Sequence, residues 1–530
     1  MHPPDATHPT AVPQPPPLPL PPVKRRRRWT KVLGVGFLVL ALALVGSHLW
    51  WGHRAAGRLE AQLAAARAAG EPVTVDELNR WAFLRGGSGE NVVPGLRAAA
   101  GRIDQDAEAW QSYAALDKGV PLTDEEVKGY TLVADKHADV LRRMDAADLR
   151  GAVDWQPGYT SPLLQYEYPK TDLNGMRALA QLLQADAWLA HRSGDAGRAL
   201  RRSGQMLALS RAVGHQPQIV PHLVAIGLSA LGTTTAGEVV PELKVAAAGG
   251  QGADPREVRE LIADLLDERP LREGWRRAIV GERVMVVDVI QCLADGRITL
   301  SELRRSEDEG AVQNAAFRFV GRGYLLDNAA AVAAYDAGLL SAAEGAADAP
   351  AARAALPQAL LDEIKTSKRY LMASILTPTM ERAVNVHYRC IAERRLVAAA
   401  LAIKLYESDH GGRPPETLEA LVPEYLAAVP RDPLATGGAP LGYISAKDDA
   451  ARPRLYSVGE NAVDNGGNEP DPDLPMRVRE ATSDVVRHLK RQPRVFPRTM
   501  PVFRGLPGMN LEEPPAMAPA TGPGDEEPAA

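Results

Sequence analysis

Two cysteines in 530 residues leave no disulfide framework and no multi-cysteine zinc or iron–sulfur site to build on. Aromatic residues are only 5% of the chain, too few for a β-sandwich core, while alanine is abundant and favours helix. No strong excess of either charge is present: the net charge is −5 and the pI about 6.2, which argues against a nucleic-acid partner. Between residues 55 and 380 almost no segment alternates with period two. Catalytic signatures are missing as well. There is no His-Glu-x-x-His, no Gly-x-Ser-x-Gly, no P-loop and no dinucleotide fingerprint. No catalytic residue can be named, and the chain reads as a non-enzyme.

What is there is long and apolar enough (45%) for a large core and more than one domain. Residues 32–51, VLGVGFLVLALALVGSHLWW, carry no formal charge. Twenty residues of helix reach about 30 Å, the thickness of a bilayer core. Trp29 lies at one end and Trp50 and Trp51 at the other, as an aromatic belt requires. Lys24, Arg25 to Arg28 and Lys31 precede the span, so residues 1–31 hold six positive charges against Asp5 alone. The positive-inside rule then predicts a single-pass protein of the bacterial inner membrane, with a cytoplasmic N-terminus and the bulk outside. A cleaved signal peptide is the competing reading, but its apolar region is shorter and residues 52–57 offer no clear Ala-x-Ala site. The next apolar stretch, residues 219–231, contains Pro221 and His222 and reads as a core helix.

The remaining chain divides by composition. Residues 1–31 form a Pro-rich and basic tail, 32–51 the transmembrane helix and 52–379 a helical extracytoplasmic domain. Residues 380–490 form a long helix with a small module, and 491–530 a Pro-rich disordered tail. The expected fold is mainly α, with a small α+β module at the C-terminal end. Within the helical domain Thr123 and Glu126 have the spacing of a capping box, opening a helix to about residue 144. Residues 171–240 predict three helices, broken at Ser193-Gly194-Asp195 and at Gly214-His215-Gln216-Pro217. Further helices are expected over 254–268, 270–294, 308–346 and 350–372. Residues 185–217 resemble one tetratricopeptide-type hairpin, but no second copy occurs in register, so an ordinary helix pair is the reading.

Beyond residue 380 a long helix to about 408 meets the breaker Asp409-His410-Gly411-Gly412. A short helix over 417–422, the turn Pro430-Arg431-Asp432-Pro433 and strand-like runs at 440–444 and 454–459 come next. An acidic, Gly- and Asn-rich loop closes the series. The order of these pieces, over roughly residues 388–468, resembles the globular head of the type II secretion major pseudopilin. Matching segments are Ala402-Ile403-Lys404-Leu405-Tyr406, Pro415-Glu416-Thr417-Leu418, Leu441-Gly442-Tyr443 and Tyr456-Ser457-Val458-Gly459-Glu460-Asn461. The chain departs from that family in two ways. More than 300 residues separate module and span, and Gly36-Phe37 is followed by Ala41 where a prepilin peptidase site has Glu. Residues 71–79, 89–91 and the Gly194-Asp195 hairpin, taken with the module, also resemble a family of uncharacterised single-span bacterial membrane proteins. That resemblance implies an anchor and no particular activity.

The loop 460–473 concentrates side-chain oxygens: Glu460, Asn461, Asp464, Asn465, Asn468, Glu469, Asp471 and Asp473. Hard oxygen donors on a Gly-rich loop suit Ca²⁺, and the pseudopilin resemblance implies a structural Ca²⁺ here. The expected ligands are Glu460, Asp464, Asn465, Asp471 and Asp473; a solvated acidic turn is the alternative. His215 and His222 are seven apart, but Pro217 and Pro221 argue against a shared helix face, and His387 and His410 are isolated. Cys292 and Cys390 fall in predicted helices and read as small buried hydrophobes, with a disulfide between them as the alternative. Three functions remain open. They are a membrane-anchored structural or interaction protein with partners in the cell envelope, an accessory part of a type II secretion or pilus-like machine, and an enzyme whose site only the fold assembles.

Overall fold

The computed structural model describes residues 24–81, 84–105, 108–116, 120–162, 170–246, 252–299, 302, 311–376, 381–450, 452–468, 478 and 482–492. Of the tails read at 1–31 and 491–530, residues 1–23 and 493–530 lie outside the described residues. The first half of the chain gives α1 (Lys24–Ala68), α2 (Val75–Arg80), α3 (Val93–Ala100), α4 (Glu108–Ala115), α5 (Asp124–Lys136), α6 (Ala138–Ala146), α7 (Lys170–Arg192), α8 (Ala196–Val213) and α9 (Ile219–Val239). The second half gives α10 (Pro255–Leu266), α11 (Arg269–Asp295), α12 (Ala311–Gly345), α13 (Ala349–Ala355), α14 (Gln358–Thr366), α15 (Leu371–Leu376) and α16 (Glu381–Asp409). The fold is mainly α, as the composition predicts.

Local sequence accounts for most boundaries. Thr123 and Glu126 form the expected capping box, each side chain bonded to the other's backbone N–H. Asp195 and Asp254 cap α8 and α10 by accepting the N–H of Arg198 and Arg256. The helix expected over 123–144 is split at His137, whose ring Nδ1 and backbone N–H both bond to the Val133 carbonyl. The helix expected over 350–372 is broken at Pro357, which cannot donate the hydrogen bond a continuing helix needs.

Helix α1 decides how the protein is built. Its 45 residues are unbroken. From Thr30 to Trp50 all are exposed except Ala41 and His48, which are half-buried. From Ala55 the same helix turns into core: Ala55, Leu59, Leu63 and Ala66, at helical spacing, are buried. Thr30–Ala68 is long and apolar enough to cross a membrane, and the apolar part is not covered by protein. Helix α12 lies alongside. Gly52 meets Gly323, and Arg58 pairs with the buried Asp327, so the two helices run parallel. The second apolar helix, α9, is a core element, with most of its side chains buried.

After α16 the chain makes a 3-10 turn, Leu418–Leu421, then strands β1 (Gly442–Ile444), β2 (Arg454–Ser457) and β3 (Val485–His488). They form an antiparallel meander in the order β1-β2-β3, with Tyr443 opposite Leu455 and Leu455 opposite Arg487. Leu455, fully buried, points at the core. The Asp432 carboxylate, only 1% exposed, ties the 430–433 turn to the sheet by accepting from Leu434 N–H (2.9 Å), Ser457 Oγ (2.8 Å) and Val458 N–H (2.8 Å). The composition break read at 379/380 is not a break in the core. One hydrophobic cluster joins Leu59 of α1, Leu293 of α11, Leu401 of α16 and Leu418, Leu455 and Val485 of the module. A second cluster fills the space between α3, α5, α7 and α8.

Candidate functional site

Two places gather chemistry-bearing side chains. The first is the acidic loop. Asp464 Oδ1 accepts the Gly466 N–H (2.8 Å), its Oδ2 accepts from the Tyr456 hydroxyl (3.4 Å), and Asn461 Oδ1 accepts the Val463 N–H (3.2 Å). Asp484, at the start of β3, receives the N–H groups of Asn465 (3.2 Å) and Gly467 (2.7 Å). Burial raises the Asp484 carboxyl, and the neighbouring Asp464 and Asp432 push the same way. Asp464, Asn465 and Asp484 therefore lie together. Glu460 does not join them: its carboxylate faces Arg389 of α16 at 3.9 Å. Asp471 and Asp473 lie outside the described residues. Among the described residues no three His, Cys, Asp or Glu converge as a metal group. The part of the expected ligand set that is placed thus offers hard oxygens from Asp464 and Asn465. Asp484 is a further donor that no motif or spacing singles out.

The second place is buried. His222 of α9, Trp275 of α11 and His387 of α16 form a triangle, with ring centroids 5.5 Å, 5.7 Å and 5.8 Å apart. Pro217 precedes α9 and Pro221 sits in its first turn, where no backbone donor is required, so the helix forms around them. His215 stays in the preceding turn and bonds through Nδ1 to the Arg211 carbonyl (2.8 Å), so it shares no helix face with His222. Neither ring nitrogen of His222 has a hydrogen-bond partner, nor does Nδ1 of His387. Burial pushes His222 well below the usual imidazole range, and the nearby His387 adds to the shift. Burial likewise lowers His387 to about 3 and His215 to about 4.

His222 and His387 each border a cavity. His222 lines one of about 370 Å³ that also holds Arg211, Asp264, Asp267 and Arg394. His387 lines one of about 380 Å³ walled by Trp275, Leu339, Leu340, Val384 and Tyr388. The first cavity's charges are spoken for. Arg394 donates to the carbonyls of Leu265 and Asp267 (both 2.9 Å), closing the C-terminus of α10, and Arg211 donates to the Gly151 carbonyl (3.3 Å). Cys390, one turn beyond His387, is a free buried thiol pushed up to about 11 by burial, so it is no thiolate at neutral pH. Cys292 is also buried and free. Neutral imidazoles can donate or accept a hydrogen bond to a cavity occupant, but neither has the oriented partner that general-base chemistry needs.

These buried rings make stability depend on pH. His387 is depressed in the folded state and ordinary, near 6.5, when unfolded. Its burial as a neutral ring is fully supported above pH 6.5 and is penalised as pH falls toward 3, by about 1.4 kcal/mol per pH unit. His387→Phe removes this. The stability of the variant relative to the parent is expected to improve steadily from pH 6.5 to 4, read from thermal melts across that range. Glu282, raised to about 7 by burial, works in the opposite direction but is common to both proteins. A difference that does not change with pH would show that His387 is hydrated in solution.

The architecture is that of a mainly α protein led by a helix able to cross a membrane. No family model, curated protein or solved structure matches the chain.

Proposed function

We propose that the protein is a non-enzymatic, single-pass component of the bacterial inner membrane that holds an extracytoplasmic helical body as a structural or interaction platform. The observation that carries this reading is α1. One unbroken helix presents a bare apolar half and then, without a hinge, buries Ala55, Leu59 and Leu63 in the core. The meander behind α16 serves as a pseudopilin-head-like contact surface for partners in the cell envelope, with Ca²⁺ stiffening its acidic loop through Asp464, Asn465 and residues beyond 468.

Protease added to intact spheroplasts is expected to remove the body of the protein and leave a fragment containing residues 1–51. A body that survives until lysis would reverse the orientation and end the envelope role. For the loop, adding Ca²⁺ to the chelator-treated full-length protein is expected to raise its melting temperature, and Asp464→Asn to abolish the rise. No rise in the parent protein would leave the loop a solvated turn.

A further inference from the structure

Outside the apolar half of α1, large exposed hydrophobic side chains are few among the described residues, and two of them sit together. Leu371 is 56% exposed and Ile375 65%, four residues apart on α15 and so on one face. The opposite face, Met372 and Ala373, is buried. The segment is fastened at a defined height. The Tyr324 hydroxyl donates to the Lys368 carbonyl (3.3 Å) and accepts the Leu371 N–H (3.1 Å). The Asn328 amide donates to the Arg369 carbonyl (2.9 Å) and accepts the Ala373 N–H (2.9 Å). Arg369 and Arg58 both pair with Asp327.

That height is the end of the apolar span. Tyr324 comes directly after Gly323, which packs on Gly52, the residue after Trp51. Trp50, 61% exposed, lies on α1 at the same level. Lys368 is exposed immediately before the two aliphatic side chains.

We propose that α15 is a second contact with the same bilayer, with Leu371 and Ile375 entering the headgroup and upper acyl region of the outer leaflet and Lys368 reaching the lipid phosphates. Aliphatic side chains on one face beside a lysine, with tryptophan at the same depth, are the pattern of an interfacial helix. This inference rests on α1 being the anchor. Two aliphatic side chains would not hold the protein on lipid alone. Their effect is to give it a second foot, so that the body meets the surface in one orientation.

The test uses full-length protein in vesicles of phosphatidylcholine and phosphatidylglycerol. A fluorophore sensitive to water is attached at Ile375→Cys, at Leu38→Cys within the span, or at Val463→Cys on the module; the two native cysteines are buried. Lipids spin-labelled near the headgroup are expected to quench the dye at 375 strongly relative to 463, and lipids labelled deep in the chain to quench the dye at 38. Quenching at 38 with a wet, unquenched dye at 375 would overturn the second foot and leave the anchor standing. No quenching at either position would overturn both. A dye at 375 that is shielded in native membranes but wet in vesicles would show a protein occupant and also overturn the proposal.

Discussion

Gly281→Ala is expected to cost about 3 kcal/mol of stability, at the upper end of what overpacking a core costs. Gly281 lies in α11 against the turn before α9. A methyl group there would fall 1.6 Å from the Pro217 carbonyl oxygen and 2.7 Å from its carbon. The obstacle is backbone, which cannot rotate away as a side chain could. Relief requires α11 or the turn to shift, and the turn leads directly into α9 and His222. Gly57→Ala is the matching control. It is also in a helix, but nothing lies within 4 Å of the added methyl group. There the change is expected to be stabilising by about 0.5–1 kcal/mol, from lost chain entropy alone. Urea denaturation of both variants checks the pair. A loss below about 1 kcal/mol at Gly281 would mean that α11 sits farther from the turn in solution.

Arg202→Met is expected to cost about 3–5 kcal/mol, the usual penalty for stranding one member of a buried ion pair. Arg202 is 1% exposed. Its Nε donates to Asp186 (2.7 Å), and its Nη1 donates to Asp145 (2.5 Å) and to Gln205 (2.8 Å). Asp145 is half in water and loses little. Asp186 is 3% exposed and would keep only the half-exposed Arg198, through bonds at 2.9 Å and 2.5 Å. The cost therefore falls on a carboxylate left without its buried partner. Adding Asp186→Leu to Arg202→Met is expected to restore most of the loss, because an apolar pair of similar size no longer buries a charge. Failure of the double variant to recover would place the cost in packing of the arginine stem.

What could be read in the sequence was local. Thr123 with Glu126 decides a helix start where its spacing predicts, and the break read at Ser193-Gly194-Asp195 is where Asp195 caps the next helix. The bare apolar run of residues 32–51 declared itself by length and lack of charge. Strand β3 did not, because Val485-Val486-Arg487-His488 is too short to show alternation. Asp484 was overlooked with it, although its carboxylate holds the acidic loop to the sheet. Pro221 does not break the core helix read over 219–231, because a helix tolerates proline in its first turn and α9 starts just early enough to use that. His222, Trp275 and His387 come from three helices distant in the chain. Only packing brings them together, and nothing in the spacing of isolated histidines carries that information.

Because α1 carries its bare apolar half into the core as one stiff rod, whatever leans the rod leans everything attached to it. A hydrophobic stretch longer than the bilayer core tilts to fit, so with α1 as the proposed anchor, thinning the membrane would swing the whole body toward the surface. Each residue added to a helix also turns the downstream chain by about 100°. A single insertion just before Gly52, ahead of its contact with Gly323, would thus point the body in another direction along the membrane while leaving its interior intact. With that anchor, membrane thickness and the length of one helix would together steer where this protein can reach.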